Sequence, residues 1–174
     1  MNLTELIMHR RSIRKFTAEA VSESDIAELK RVALCAPTSK NCKSWEFVFV
    51  TDTEIIKSLS ASKEAGAAFM EQAPLAIVIF GDTAKTDVWV EDTSIAAAFI
   101  QLKAEELGLG SCWVQMRERG FADGRKADTI IRELLGAPAN LSVECVIAIG
   151  HKDQQRNPYL DEKLPYDHIH DNKF

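Results

Sequence analysis

The sequence feature that most constrains the fold is the apolar run Leu-Ala-Ile-Val-Ile-Phe at Leu75–Phe80. Successive side chains of a strand point to opposite faces of a sheet, so this segment is apolar on both faces when extended. Such a strand is typical of the middle of a sheet whose two faces are both covered. The run therefore predicts a strand buried at the centre of a sheet.

The rest of the chain supplies further strands and helices in alternation. Four segments have helical spacing of apolar residues, and weaker helical signals fill 53–72. Ser22 is placed to cap the second helix, and Gly108 and Gly136 are placed to end the third and fourth. The predicted apolar stripe of the third helix is Ile95, Ala98, Phe99 and Leu102. The predicted helices are 2–9, 22–35, 87–107 and 123–135, and the predicted strands are 45–51, 75–80, 111–116 and 143–149.

This alternation predicts an α+β or α/β fold with a central sheet of at least four strands. The 174 residues match the size of one domain, so we expect a single domain over 1–174. The last 24 residues, 151–174, carry three His and two Pro and have no long apolar run. We expect them to form an extended arm.

Composition excludes several classes of protein. The formal net charge of −5 disfavours a protein that wraps nucleic acid. No uncharged stretch exceeds ten residues, whereas a bilayer span requires about 20 apolar residues. The four cysteines form no C-x-x-C pair, and Cys112 and Cys145 lie in apolar runs. Because the start of the chain also lacks the pattern of a secretory signal, we expect a cytoplasmic protein with reduced thiols.

The densest positive charge lies in the segment His9-Arg-Arg-Ser-Ile-Arg-Lys-Phe16. A solvated surface run is one interpretation of it. If the segment is extended, however, Ser12 and Arg14 share a face while Ile13 is buried, and Arg10 lies close by. Guanidinium groups and a hydroxyl that converge on one point suit a phosphate by charge and geometry. The segment is therefore a candidate anion site.

Two further segments have ordinary interpretations when taken alone. The pattern of residues 36–47 indicates the end of a helix followed by a polar loop. The pattern of residues 106–113 indicates a helix cap followed by a tight turn into a strand. Taken in order with the basic segment, however, they resemble the nitroreductase family of FMN-dependent oxidoreductases. The residues that match its motifs are Arg10, Ser12, Arg14 and Phe16, then Ala36, Pro37, Thr38, Asn41 and Trp45, then Gly108, Leu109, Gly110 and Trp113.

The resemblance implies a nitroreductase-like α+β fold, a homodimer, and FMN bound at the subunit interface. Arg10 and Ser12 would hold the phosphate and ribityl end of FMN, with help from Arg11. Arg14 would reach the pyrimidine edge, where two-electron reduction places negative charge. The backbone of Gln115 and Met116 would contact flavin N5 and O4. The residues implied to approach the flavin of the other subunit are Pro37, Thr38, Ser39 and Asn41.

Family members also return a basic residue of the arm to the phosphate. Two alternatives stand here, Lys163 in Glu-Lys-Leu-Pro, which we prefer, and Arg156 in Gln-Arg-Asn-Pro. The chain departs from the family pattern at Cys42-Lys43-Ser44, where many members have Gln-Pro, and at Met116, where larger members have Gly. An Asn and a Lys of the larger members have no match within 63–72.

The resemblance implies an oxidoreductase that takes hydride from NAD(P)H and passes electrons to a nitroaromatic, a quinone or a similar small acceptor by a ping-pong mechanism. FMN carries that chemistry, so we predict no catalytic side chain, no metal, and no nucleic-acid or membrane partner. His168 and His170 are expected to be surface residues rather than metal ligands. Because the second motif is degenerate, a flavin-binding storage or sensor protein without efficient turnover is the alternative.

Overall fold

The computed structural model describes all residues from 1 to 174. Helices and strands alternate along the chain in nearly the predicted order. The helices are α1 (Leu3–His9), α2 (Glu23–Leu34), α3 (Thr53–Ser60), α4 (Trp89–Glu106) and α5 (Ala127–Leu135). The strands are β1 (Trp45–Val50), β2 (Leu75–Asp82), β3 (Gly110–Gln115) and β4 (Leu141–Gly150).

The four strands form one antiparallel sheet in the order β1-β2-β4-β3. Every residue of β2 is buried, so the central strand predicted from its two apolar faces is confirmed. A bulge interrupts the pairing of β2 with β4, because Ile79 lies opposite Cys145 while Phe80 lies opposite Val143. Glu144 is the extra residue on β4 at this bulge.

Helices cover both faces of the sheet and make it the middle layer of the molecule. On one face, Ile56 and Leu59 of α3 pack with Ile131 of α5 in a single apolar cluster. On the other face, Leu29 of α2 and Ile100 of α4 belong to a second cluster. Because helices cover both faces of the sheet, both faces carry apolar side chains.

Helix α4 turns a different side to the sheet from the one predicted. Ala97, Ile100 and Ala104 are buried against the strands, whereas Ile95 and Phe99 remain 40% and 37% exposed. Small side chains on the inner side let a helix approach a sheet closely, and the larger apolar residues then lie outside. The prediction that this stripe faces the core is therefore wrong. Ile95 and Phe99 form an exposed apolar face of the helix instead.

The remaining boundaries differ from prediction in few places. Helix α5 begins at Ala127 rather than at 123, because Gly120 pairs with Lys126 and closes a short hairpin in between. Gly108 and Gly136 have the positive φ expected of helix-ending glycines, +78° and +64°. Residues 151–174 contain two short 3-10 turns, Asp161–Lys163 and Tyr166–His168. None of the helices is both long and apolar enough to cross a membrane.

Candidate functional site

The basic segment after α1 is extended and lies along β3, the edge strand of the sheet. Ser12 forms a parallel bridge with Ser111, and the Ile13 amide donates to the Ser111 carbonyl at 2.9 Å. A Cβ at Gly110 would lie 2.7 Å from the Ile13 side chain, so the close approach requires glycine there. Ile13 is buried and Arg14 is exposed, which confirms the predicted alternation of the segment.

Arg10, Ser12 and Arg14 all lie close enough to the Cys112 thiol to affect its ionisation. Burial raises the pKa of Cys112, and Arg14, Ser12 and Arg10 oppose that rise. Arg10 and Ser12 also line a cavity of about 440 Å³, together with Gln101 and Trp113. The structure therefore brings together three of the side chains predicted to hold an anionic group.

Arg11 and Arg156 lie around a different cavity, of about 650 Å³, which also contains His9 and Lys152. The Arg11 guanidinium donates to the Asn157 carbonyl and stacks over the Tyr159 ring, so this side chain fastens the arm. Lys163 is exposed in a 3-10 turn of the arm and lines neither cavity. Within one chain, neither arm cation joins the cavity of Arg10.

Gln115 presents backbone groups at the free edge of β3. Its carbonyl accepts from Lys63 Nζ at 2.8 Å, and the Ser111 carbonyl likewise points away from β4, toward Ile13. The N–H and C=O of one strand residue point to the same side, so the Gln115 N–H also points away from β4. Its side chain is held by Trp113 Nε1, which donates to Gln115 Oε1 at 2.8 Å.

Met116, in contrast, has no backbone group free for a ligand. Its side chain is fully buried and its amide donates to the Glu144 carbonyl at 3.2 Å. Its own carbonyl accepts from the Arg119 amide at 3.0 Å. Of the two neighbours predicted to contact flavin N5 and O4, the structure therefore leaves only Gln115 with an available donor.

The loop before β1 is fastened to α4 by a buried carboxylate. Asp92 accepts from the Ser39 amide at 2.8 Å and from the Ser44 hydroxyl at 2.5 Å, and Cys42 Sγ lies 3.5 Å from it. Lys40, Asn41 and Lys43 in the loop have positive φ, a conformation that few residues adopt. Several hydrogen bonds to one buried acceptor therefore hold a loop whose backbone is unfavourable.

The loop and the basic segment lie at opposite edges of the sheet. Pro37, Thr38, Ser39 and Asn41 precede β1, whereas Arg10–Arg14 follows the edge of β3. Three strand spacings separate these edges, or about 14 Å. One chain therefore does not bring the two predicted groups of flavin-binding residues together.

Comparison with known proteins identifies the family. The model of the nitroreductase family matches residues 7–65 and 57–151 of the chain. The chain belongs to the nitroreductase family. This confirms the family indicated by the three sequence motifs.

Relatives of similar length include a solved FMN-dependent nitroreductase from Clostridium difficile R20291. It is 46% identical with a TM-score of 0.95, over 97% of this chain and 98% of that one. A protein of Archaeoglobus fulgidus named as an NADH dehydrogenase/NAD(P)H nitroreductase is 34% identical, over 98% of this chain and 97% of its own length. An NADPH-flavin oxidoreductase from Vibrio harveyi is 30% identical, over 99% of this chain and 75% of its own length.

Two residues of this nitroreductase-family site were missed by the sequence analysis. Lys63 lies at the Gln115 end of the edge, where burial and the Arg119 charge lower its pKa. Asp92 lies in α4 and holds the loop from 39 to 44. Neither lies in a motif, since both act through contacts with residues about 50 positions away along the chain. Only the tertiary structure identifies them.

Proposed function

We propose that this chain is a cytoplasmic FMN-dependent oxidoreductase that takes hydride from NAD(P)H and passes the electrons to a nitroaromatic, a quinone or a similar small acceptor by a ping-pong mechanism. Membership of the nitroreductase family and the names of the relatives support an NAD(P)H-dependent oxidoreductase. The observation that carries the proposal is the donor set along β3, formed by Arg10, Ser12, Arg14 and the Gln115 N–H.

The donors along this edge suit the chemistry of FMN. FMN is anionic at its phosphate and has hydrogen-bond acceptors along the edge of its ring system. Arg10 and Ser12 would hold the phosphate end, since charge-assisted bonds to guanidinium are strong and directional. Arg14 would hold the pyrimidine edge, and the Gln115 N–H would donate to the ring near N5.

The protein's own contribution is to bind, orient and tune the cofactor. When bound, FMN supplies two-electron transfer between the nicotinamide and the acceptor. Arg14 would place a fixed positive charge where the reduced ring carries negative charge, and would so stabilise the reduced state relative to the oxidised one. Lys63 is hydrogen-bonded to the Gln115 carbonyl and adds a second cation at the Gln115 end of β3.

The proposal includes a homodimer with FMN at the interface. The two groups of predicted binding residues lie at opposite edges of one sheet, so a second chain must supply the loop of Pro37 and Asn41. Ile95 and Phe99 form an exposed apolar face on α4 that a second copy would cover. The arm cation would be Lys163 or Arg156, as the resemblance implies.

Flavin content and its reduction test the proposal. Purified protein should have the absorbance bands of bound flavin, and those bands should bleach when NADH or NADPH is mixed with it in the absence of oxygen. Added nitroaromatic or quinone should restore the bands. Colourless protein that does not bind added FMN contradicts the proposal. Flavin that stays oxidised at saturating nicotinamide favours the storage or sensor protein.

A further inference from the structure

A cavity with four cations in its wall opens directly after β3. Its volume is about 460 Å³, and it lies between the start of α4 and the segment 117–126. Two aromatic side chains, Trp89 and Phe121, also line it. The positively charged residues in its wall are Arg117, Arg119, Arg125 and Lys126.

Two of the four cations lack a carboxylate partner. Arg117 Nη2 lies 3.0 Å from Glu118, and Arg125 Nε lies 2.9 Å from Asp123. Arg119 and Lys126 have no carboxylate oxygen within 4 Å. Two positive charges are therefore uncompensated at this wall.

Each of the two acidic residues of the wall already has a partner. Asp128 accepts from Arg132 Nε at 2.9 Å and from the Val143 amide at 2.7 Å. Glu118 pairs with Arg117. The cavity thus keeps a positive character. Burial lowers the pKa of Lys63, and the Arg119 charge adds to that lowering.

The backbone that carries these cations is rigidly held. The Phe121 amide donates to the Arg125 carbonyl at 2.9 Å, and the Glu64 amide donates to the Gly120 carbonyl at 3.1 Å. A Cβ at Gly120 would lie 2.1 Å from the Arg125 carbonyl oxygen, so only glycine permits this hairpin. A hairpin fixed in this way presents its charges without a large ordering cost on binding.

The cavity lies at the Gln115 end of β3. Arg117 is two residues beyond Gln115, whose N–H faces the ring in the proposed function. Lys63 donates to the Gln115 carbonyl at 2.8 Å, and the charge of Arg119 in the cavity wall acts on Lys63. In the proposed function, a molecule that approaches the ring from this end of β3 would pass the uncompensated cations.

We propose that this cavity binds the anionic group of the molecule that exchanges electrons with the flavin, and that Arg119 and Lys126 select for that group. The ligand class is a planar ring compound that carries a carboxylate or a phosphate. Its anion would pair with the two free cations, and its ring would lie near Trp89 and Phe121. This inference rests on the proposed function. The anion has two sources, a carboxylate on the acceptor or the 2′-phosphate of NADPH.

The test uses FMN-loaded protein and the double variant Arg119→Ala/Lys126→Ala. Steady-state kcat/KM is measured for 4-nitrobenzoate and for 4-nitrobenzamide, which differ mainly in charge, and flavin reduction is measured with NADPH and with NADH. Loss of two charge-assisted contacts should lower either kcat/KM for 4-nitrobenzoate or the rate of flavin reduction by NADPH, in each case by ~10-fold or more. The neutral acceptor and NADH should change by less than about twofold. Loss with nitrobenzoate alone identifies the acceptor as the source, and loss with NADPH alone identifies the 2′-phosphate.

Direct binding gives a readout that does not depend on turnover. Benzoate should bind the FMN-loaded wild type in calorimetry, or 2′-phospho-AMP should bind instead, and the double variant should lose that binding. Arg31→Ala is the matched control, since Arg31 is an exposed arginine of α2 paired with Glu28. Equal effects on charged and neutral partners, or no effect on either, overturn the inference. If the wild-type flavin is not reduced at all, it is the proposed function that fails.

Discussion

Arg10 and Arg14 lie on one extended segment, and we propose that they act on different ends of the cofactor. Arg10 lines the cavity with Ser12, whereas Arg14 is two residues further along the edge of β3 than Ser12. Arg10→Ala should lose ~1.5–3 kcal/mol of binding to the phosphate, a fall of about 10- to 150-fold in FMN affinity. Its midpoint potential at saturating FMN should change little. Equilibrium dialysis and a dye-coupled redox titration measure the two quantities.

Arg14→Ala should give the opposite pattern. It removes a cation that stabilises the reduced ring more than the oxidised one, so the midpoint potential should fall. For a two-electron couple about 30 mV corresponds to ~1.4 kcal/mol, so a fall of a few tens of millivolts is expected. If Arg10→Ala shifts the potential and Arg14→Ala does not, the two residues have been placed at the wrong ends of FMN.

Glu144 makes folding stability depend on pH. Burial raises its pKa, and Glu118 and Glu91 add to that rise while Gln115 and Arg117 oppose it. The native state therefore binds this proton more tightly than the unfolded chain, so stability falls as pH rises above the ordinary carboxyl range.

Glu144→Gln removes this fall, because the amide stays neutral at every pH. Urea unfolding should give similar stabilities for variant and wild type near pH 4, and a more stable variant near pH 8. Glu133→Gln, on the exposed side of α5, is the control and should leave the pH dependence unchanged. A variant less stable than wild type at about pH 8 contradicts this account.

At the scale of elements, α4 fixes the loop before β1 through Asp92. Asp92→Asn replaces one of the two acceptor oxygens by a donor, opposite either the Ser39 amide or the Ser44 hydroxyl, and removes the negative charge. Hydrogen bonds to a charged group contribute ~1.5–3 kcal/mol, so unfolding should become easier by about 2 kcal/mol. FMN affinity should also fall, because the loop bears Asn41. The control is Asp87→Asn, an exposed aspartate just before the helix. If FMN affinity is unchanged in Asp92→Asn, the loop does not contribute to flavin binding.

The outer face of α4 is the element expected to join two chains. Phe99→Asp places a charge on that face without touching the packed side of the helix, where Ala97 and Ile100 lie. Sedimentation at micromolar concentration should show monomers that have lost FMN. Leu134→Asp is the matched control, since Leu134 is 38% exposed and lies on α5. A Phe99→Asp protein that remains a flavin-loaded dimer places the interface elsewhere.

These elements also show how far the sequence alone predicts the structure. The strand β2 was identifiable because both of its faces are apolar. The orientation of α4 was not, because alanines and larger apolar residues alternate around it and only the sheet decides which side packs. The predicted start of α5 is too early because residues 123–126 fit a helical pattern. In the structure Gly120 pairs with Lys126, so these residues belong to a hairpin.

At the scale of the whole molecule, the strand order decides which predicted site residues can meet. The motifs identified Arg10, Ser12 and Arg14 together, and the segment that carries them lies along the edge of β3. They also identified Asn41, which lies at the opposite edge. Lys63 was not predictable, because its contact with Gln115 depends on how the chain between α3 and β2 folds back.

A shared site predicts complementation between two defective chains. Arg10→Ala and Asn41→Ala homodimers should each bind FMN weakly. In a mixed dimer, one site carries both substitutions and the other carries neither. Unfolding and refolding equal amounts together should therefore restore about a quarter of wild-type flavin sites, as the dimers form at random. Recovery no greater than that of the separate variants would indicate a site built within one chain.

The separation of the two sheet edges also determines how activity depends on expression. If each catalytic centre needs residues from two chains, only chains that are in the dimer contribute complete centres. Below the dissociation constant of the dimer, their number rises with the square of the chain concentration. Halving the expression of the gene would then leave about a quarter of the activity rather than half.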